Sequence, residues 1–362
     1  MRVNSLPYAK RHTALAFLGL QAPVVRVVYL NVAPVLLLTL AIFYSNLALA
    51  APVTLQLPID CEIGFDCHIQ NSFDHDPGPG FADFNCGVLG YDGHRGTDIR
   101  LANLAEMRRG VAVVAAASGR VRAIRDEMPD ISIRDAGEDS VSGREAGNAV
   151  VLTHEPDWET QYSHLLKGSV RVRPGDWVEA GDVLGLVGLS GQTEFPHLHF
   201  EVRYRGEAID PFVGLSRASE CGLGVEPLWS RQALNKLPYR PTGLLQTGFS
   251  SAAPSTRSVD EGEKLSGMLP PDSVALVFWV EIFGAHKGDV ESIDLFDTDG
   301  KLLAKKRARI PRDKARWFSY AGKKRRGDAW APGLYRAVYR LARGEGETAR
   351  FVIDIERTIA VQ

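Results

Sequence analysis

The stretch His197–Tyr204 reads HLHFEVRY, and its alternation decides the fold. Side chains along a strand point to opposite faces with period two. His197 and His199 therefore share one face, and Leu198 and Phe200 share the other, buried one. The stretch reads as a half-buried strand that carries two imidazoles into one cleft. Outward from it the chain continues as short strands. Residues 169–172, 177–178 and 183–187 are divided by Pro174-Gly175-Asp176 and Ala180-Gly181-Asp182. Residues 148–154 and 160–164 flank a hairpin loop at 155–159. The apolar run 111–117 and the alternating run 121–125 precede them, with Ser118-Gly119 as the turn between. Strands at this spacing with turn signals predict an all-β sandwich or barrel.

Composition agrees. The chain has 362 residues, 45% hydrophobic and 24% charged, a globular balance. That excludes a mainly disordered chain, a coiled coil and a multi-span membrane protein. At about 100–200 residues per domain, the length suggests two domains or three. Lys and Arg number 42 against 44 Asp and Glu, a net charge of −2, so no overall basic character points to nucleic acid. The organisation read from the chain is an irregular, Cys-containing segment at 51–93, a β core at 94–221, a linker at 222–262 and a β-sandwich at 263–362. Residues 126–147 read as a polar surface insertion beside the first sheet.

The first fifty residues read as a leader. No charge occurs between Arg26 and Asp60, and the apolar run 27–50 ends in Ala48-Leu49-Ala50. A basic flank, apolar centre and small-x-small end match a secretory signal cleaved after Ala50. An uncleaved anchor is the other reading, since the run approaches the ~20 residues that a span needs. Either reading puts the rest of the chain in the periplasm or outside the cell. The four cysteines, Cys61, Cys67, Cys86 and Cys221, suit two disulfides in an oxidising compartment, with three pairings open. One closes the short Cys61–Cys67 loop and leaves Cys86 for Cys221. A zinc knuckle is disfavoured because no C-x-x-C occurs.

Histidines carry the chemistry. His94 and Asp98 form an H-x-x-x-D whose glycines argue for a loop feeding a strand; His164 closes T-x-Y-x-H; His197 and His199 form the H-x-H. Imidazole and carboxylate suit Zn²⁺, and two His with one Asp leave a fourth position for water. Further imidazoles can take a proton or stabilise an oxyanion. His12, His68, His75, His154 and His286 read as structural. Asp74, His75 and Asp76 fail the calcium-loop pattern, because Pro77 follows at once and no Glu closes the loop.

The ordered set of GHRGTDIRL at 93–101, T-x-Y-x-H-L at 160–165, RPGDWVEAGDVLGLVGLSG at 173–191 and FPHLHFEVR at 195–203, then Asp210-Pro211, resembles the lysostaphin-type, or LytM-like, zinc endopeptidases of peptidoglycan. The likeness covers about residues 86–213. It implies a two-sheet antiparallel peptidase core, one zinc on His94, Asp98 and His199, and His164 and His197 as paired catalytic imidazoles. It implies peptidoglycan peptides as substrate. A competing reading is a non-catalytic wall-binding or amidase-activating relative, against which the complete His/Asp set argues. A latent form with Asn71, Asp74 or His75 as an extra ligand is a further reading. A biotinyl or lipoyl carrier is disfavoured because no Lys lies between Arg173 and Arg203. Residues 301–326 hold twelve Lys or Arg against Asp313 alone, which reads either as a solvated strand face or as a contact for an anionic surface.

Overall fold

The computed structural model describes residues 52–216, 221–264, 267–344 and 346–362; the expected leader lies outside them. In the first half the strands are β1 (Cys67–Asn71), β2 (Thr97–Leu101), β3 (Ala112–Val114), β4 (Gly119–Arg125), β5 (Asn148–His154), β6 (Trp158–Leu165), β7 (Trp177–Val178), β8 (Val183–Leu186), β9 (His197–Tyr204) and β10 (Glu207–Ile209). An antiparallel sheet runs β1-β2-β9-β6-β5-β4-β7, with β10 hairpinned on β9, and β3 pairs with β8 in a second, small sheet. The protein is mostly β, a two-sheet antiparallel core followed by further β-sheets. Leu198, Phe200 and Val202 are fully buried and pack with Ile99, Leu152 and Tyr162 in one core. The odd-numbered residues of β9 are thereby left facing the other way.

The second half contains β11 (Gly243–Ser250), β12 (Met268–Leu269), β13 (Ala275–Ala285), β14 (Val290–Phe296), β15 (Leu302–Arg309), β16 (Lys314–Lys324), β17 (Gly333–Arg343) and β18 (Arg350–Val361). These make a three-stranded sheet, β11-β13-β16, and a five-stranded sheet, β12-β18-β17-β14-β15. Leu276, Phe278, Val280 and Ile282 point into a separate core with Leu295 and Tyr339. Strand β13 reads as a continuous apolar run rather than an alternating one because both of its faces are covered. Its other face meets the first half: Phe283 clusters with Leu89 and Leu245 and lies 5.5 Å from the His68 ring, centroid to centroid. Gln246 joins the halves by accepting from Asn103 Nδ2 at 2.8 Å while its own amide donates to Glu281 Oε2 at 2.8 Å.

Two expectations need correction. The stretch 222–262 is not a linker. Leu228, Trp229 and Ala233 belong to the first core, Ala233 from a short helix at Arg231–Lys236, while β11 is a full member of the second-half sheet. Glycine, serine and proline dilute its composition, yet Leu245 and Phe249 still bury. The segment 51–93 is only partly irregular, since Leu55 and Ile59 are core residues and β1 extends the main sheet. The insertion at 126–147 is largely exposed, as expected, and it also reaches the site. Ile133 N–H donates to Thr193 O at 2.9 Å, and Ile133, Glu138 and Glu145 wall the cleft described below.

Both disulfides form, Cys61–Cys67 and Cys86–Cys221. The second spans 135 residues, and loop-closure entropy assigns about 5 kcal/mol to a closure of that length. Replacing Cys86 and Cys221 by Ser is expected to lower unfolding free energy by several kcal/mol in a urea titration, far more than reduction of the short Cys61–Cys67 loop.

His68 gives a second expected result. Burial, then the charges of Arg100 and Arg240, bring its pKa down to about 4. The unfolded chain binds this proton near pH 6.5, so stability is full above that value and falls as pH drops toward 4. At pH 5 the loss reaches about 2 kcal/mol. His68→Leu is expected to remove this acid sensitivity, seen as urea midpoints that converge with or exceed the parent's at pH 5 relative to pH 7.5.

Candidate active site

The main sheet presents one row of polar side chains to a cleft of about 650 Å³. Asp98 stands opposite His199 in the β2–β9 register. His94 lies on the loop before β2, and its Nδ1 donates to Ser72 O at 2.7 Å. That carbonyl fixes the tautomer and leaves a lone pair on Nε2. The lone pair points at Asp98 Oδ1, 3.1 Å away, and at His199 Nδ1, 3.2 Å away. His199 Nδ1 is in turn 2.8 Å from Asp98 Oδ1, and its Nε2 faces Glu201 Oε2 at 3.7 Å. Gly96 makes room for this cluster, since a Cβ there would sit 2.7 Å from His199 Cε1.

Three groups that can each offer a ligand atom lie within 3.2 Å of one another, an arrangement that could hold a metal ion. Donors on a tetrahedral zinc stand about 3.3–3.5 Å apart, so His94, Asp98 and His199 fit such an ion with a small outward shift. Burial alone would keep Asp98 protonated, but His94, His197 and His199 overcome it and hold the carboxyl well below its ordinary range. Burial likewise opposes charge on His199, yet Asp98 and Glu201 lift its pKa to about 9.

His164 and His197 stand beside this triad with ring centroids 4.5 Å apart. Each has Nδ1 on a backbone carbonyl: Ser190 O at 2.8 Å for His164, Phe195 O at 3.0 Å for His197. The His164 Nε2 is thus left for chemistry, while the His197 Nε2 stands near the Asp98 carboxylate. Burial and the neighbouring His197 and His199 push the His164 pKa well below 6.5; burial also lowers His197, against the pull of Asp98. His164 reaches the cleft by breaking alternation. Strand β6 carries one extra residue against β5 at this point, and His164 adopts φ +61°. Without that bulge its side chain would follow Tyr162 into the core.

All five residues singled out from the sequence line this cleft. Asn71, read from the sequence only as a possible extra ligand, donates from Nδ2 to Asp98 Oδ2 at 2.7 Å. Glu201, which backs His199, was missed; the period-two continuation of H-x-H-x-E was the available signal for it. His75 and Asp74 are drawn elsewhere. His75 Nε2 meets Asp210 Oδ2 at 2.7 Å, and Asp74 accepts from the Gly93, Asp76 and Ala82 amides. His154 bridges Ser118 O and Thr160 Oγ1 as a structural histidine. In the basic stretch, Arg316 pairs with Glu281 and Asp260, and Lys306 donates to Ser319 Oγ at 2.7 Å.

Residues 92–211 match the family model described as Peptidase family M23. The chain is 36% identical over 98 residues to the cell division protein DipM of Caulobacter vibrioides, covering 25% of this chain and 16% of that protein. It is 40% identical over 65 residues to the peptidoglycan DD-endopeptidase ShyB of Vibrio cholerae, covering 18% and 15%. The match thus spans about a sixth of each relative's length. Among solved structures, the catalytic domain of lysostaphin from Staphylococcus simulans is 25% identical, with 37% of this chain and 86% of that chain covered and a TM-score of 0.25. Residues 92–211 of this chain are a peptidase family M23 domain of the LytM-like kind.

Proposed function

We propose that the chain is a zinc endopeptidase that hydrolyses peptide bonds of cell-wall peptidoglycan after export. The observation that carries this reading is the convergence of His94, Asp98 and His199 beside two buried imidazoles. The named relatives include a peptidoglycan DD-endopeptidase, which supports the substrate class. Zinc, when bound, supplies a Lewis acid and lowers the pKa of water. The chain's own residues do the rest. His164 has no carboxylate partner among the described residues, and burial keeps it neutral at pH 7. Its Nε2 accepts the proton from the attacking water. His197 Nε2 lies 3.5 Å from Asp98 Oδ1, a neighbour that favours holding a proton there. His197 serves as donor to the carbonyl oxygen as charge develops once its Nε2 has taken up a proton, a step that Asp98 favours and burial opposes. Ser190 O and Phe195 O fix both rings so that neither must turn during the reaction.

The disulfides support an oxidising compartment. Among the described residues no helix is long and apolar enough to cross a membrane. The exposed cations of 301–326 extend the proposal to contact with an anionic wall or lipid surface. The test is digestion of purified sacculi by the full chain. Soluble fragments should appear with zinc and stop with EDTA. Binding to sacculi with no release under any metal would favour the non-catalytic reading instead.

A further inference from the structure

Arg100 is two residues beyond Asp98 on β2 and faces the cleft side, opposite His197 in register. It is 2% exposed. Its Nη1 donates to Gln70 Oε1 at 3.2 Å, and its guanidinium carbon lies 4.2 Å from the Phe195 ring centroid. Its Nε–H is buried without a partner, and no described carboxylate lies within salt-bridge distance. A buried guanidinium with one neutral hydrogen bond is a costly arrangement that calls for an explanation.

The surroundings supply one. Arg100 lines a trough of about 540 Å³ between the M23 domain and the helix Thr256–Asp260. The trough adjoins the catalytic cleft, since Glu194 and Phe195 line both. The other guanidiniums there are not equivalent: Arg108 pairs with Glu261 and Arg134 with Glu194. Arg257 is exposed. Arg100 alone among the cations named is both buried and without an anion.

We propose that Arg100 is the carboxylate-binding residue of a second subsite, which receives a free carboxylate of the substrate peptide past Phe195. This rests on the peptidase reading above. A guanidinium offers a planar pair of N–H donors that matches a carboxylate and not its amide. Arg100 is two positions from Asp98 on β2, about 6.8 Å along the strand. The carboxylate recognised therefore belongs within about two residues of the scissile bond.

The experiment uses the full zinc-loaded chain and a pair of peptidoglycan fragments, one with free stem-peptide carboxylates and one with those groups amidated. The amidated fragment is expected to show a KM about tenfold higher with little change in kcat, the size of one charge-assisted contact. Arg100→Gln should raise KM for the acid and leave the two fragments alike. A native chain that treats acid and amide alike overturns the proposal, as does a folded Arg100→Gln chain that keeps the preference. If Arg100→Gln does not fold, Arg100→Lys decides. An ammonium lacks the fork, so the preference should fall to about threefold, and an unchanged one overturns the subsite. If neither fragment is hydrolysed, the peptidase reading fails by itself. Calorimetric titration of the same fragments then reads the acid preference without turnover.

Discussion

Replacing His199 by Ala is expected to remove bound zinc and peptide hydrolysis together. His199 is one of the three groups that converge within 3.2 Å in this cleft, and it is the one whose second nitrogen faces Glu201. Without it, His94 and Asp98 offer two ligands, fewer than a catalytic zinc site uses. Hydrolysis of labelled sacculi should fall by at least about a thousandfold, since the metal contributes several kcal/mol to the transition state. Metal analysis after gel filtration should fall from about one zinc per chain to none. Gly96→Ala offers a control with no chemistry of its own. Its Cβ would lie 2.7 Å from both His199 Cε1 and Phe200 O, so the imidazole must move and metal should be lost by sterics alone. Glu201→Gln is expected to be milder, weakening zinc about 10–100-fold, the range for outer groups that orient a ligand. If His199→Ala retains one zinc per chain and its activity, the site is elsewhere.

Much of this site is legible in the sequence, and the exceptions have physical causes. The H-x-H alternation places His197 and His199 on one face because β9 is regular through both residues. The glycines near His94 point to a loop because Gly93 takes φ +75° and Gly96 packs on His199. His164 is different. Alternation from Tyr162 assigns it to the core, and only a bulge with a left-handed residue turns it outward. That residue is not glycine, so composition gives no hint of the conformation. The place of Asn71 beside Asp98 depends on a similar irregularity, because β1 gains a residue against β2 between Ile69 and Asn71. Strand β11 is obscured by its own glycines and serines. It pairs along its length because β13 needs a partner on that edge, a requirement that no local pattern reveals. Arg100 stands in plain view beside Asp98, yet its burial follows from Phe195 and Gln70, which are distant in sequence.

His164→Ala should separate catalysis from metal binding. Its ring centroid lies 6.0 Å from that of His199 and it is not one of the three groups that would hold the metal, so zinc should stay bound at about one per chain. Hydrolysis should nevertheless fall by about 10²–10⁴-fold, the range for loss of a positioned acid or base. His197→Ala is expected to fall into the same range with zinc retained. The double variant should lose much less than the product of the two single effects, because two groups that act on one proton path are not additive. A structural role for either ring predicts another pattern. Each ring holds a backbone carbonyl, Ser190 O or Phe195 O, so a merely structural loss would appear as a lower melting temperature and would add in the double variant. His164→Gln is the sharper probe of the two substitutions available at that position. Its amide can still donate to Ser190 O while offering no base, so it should recover stability and leave hydrolysis as low as in His164→Ala. Recovery of hydrolysis by His164→Gln would instead mean that the imidazole works by holding the loop, and the proton would need another acceptor.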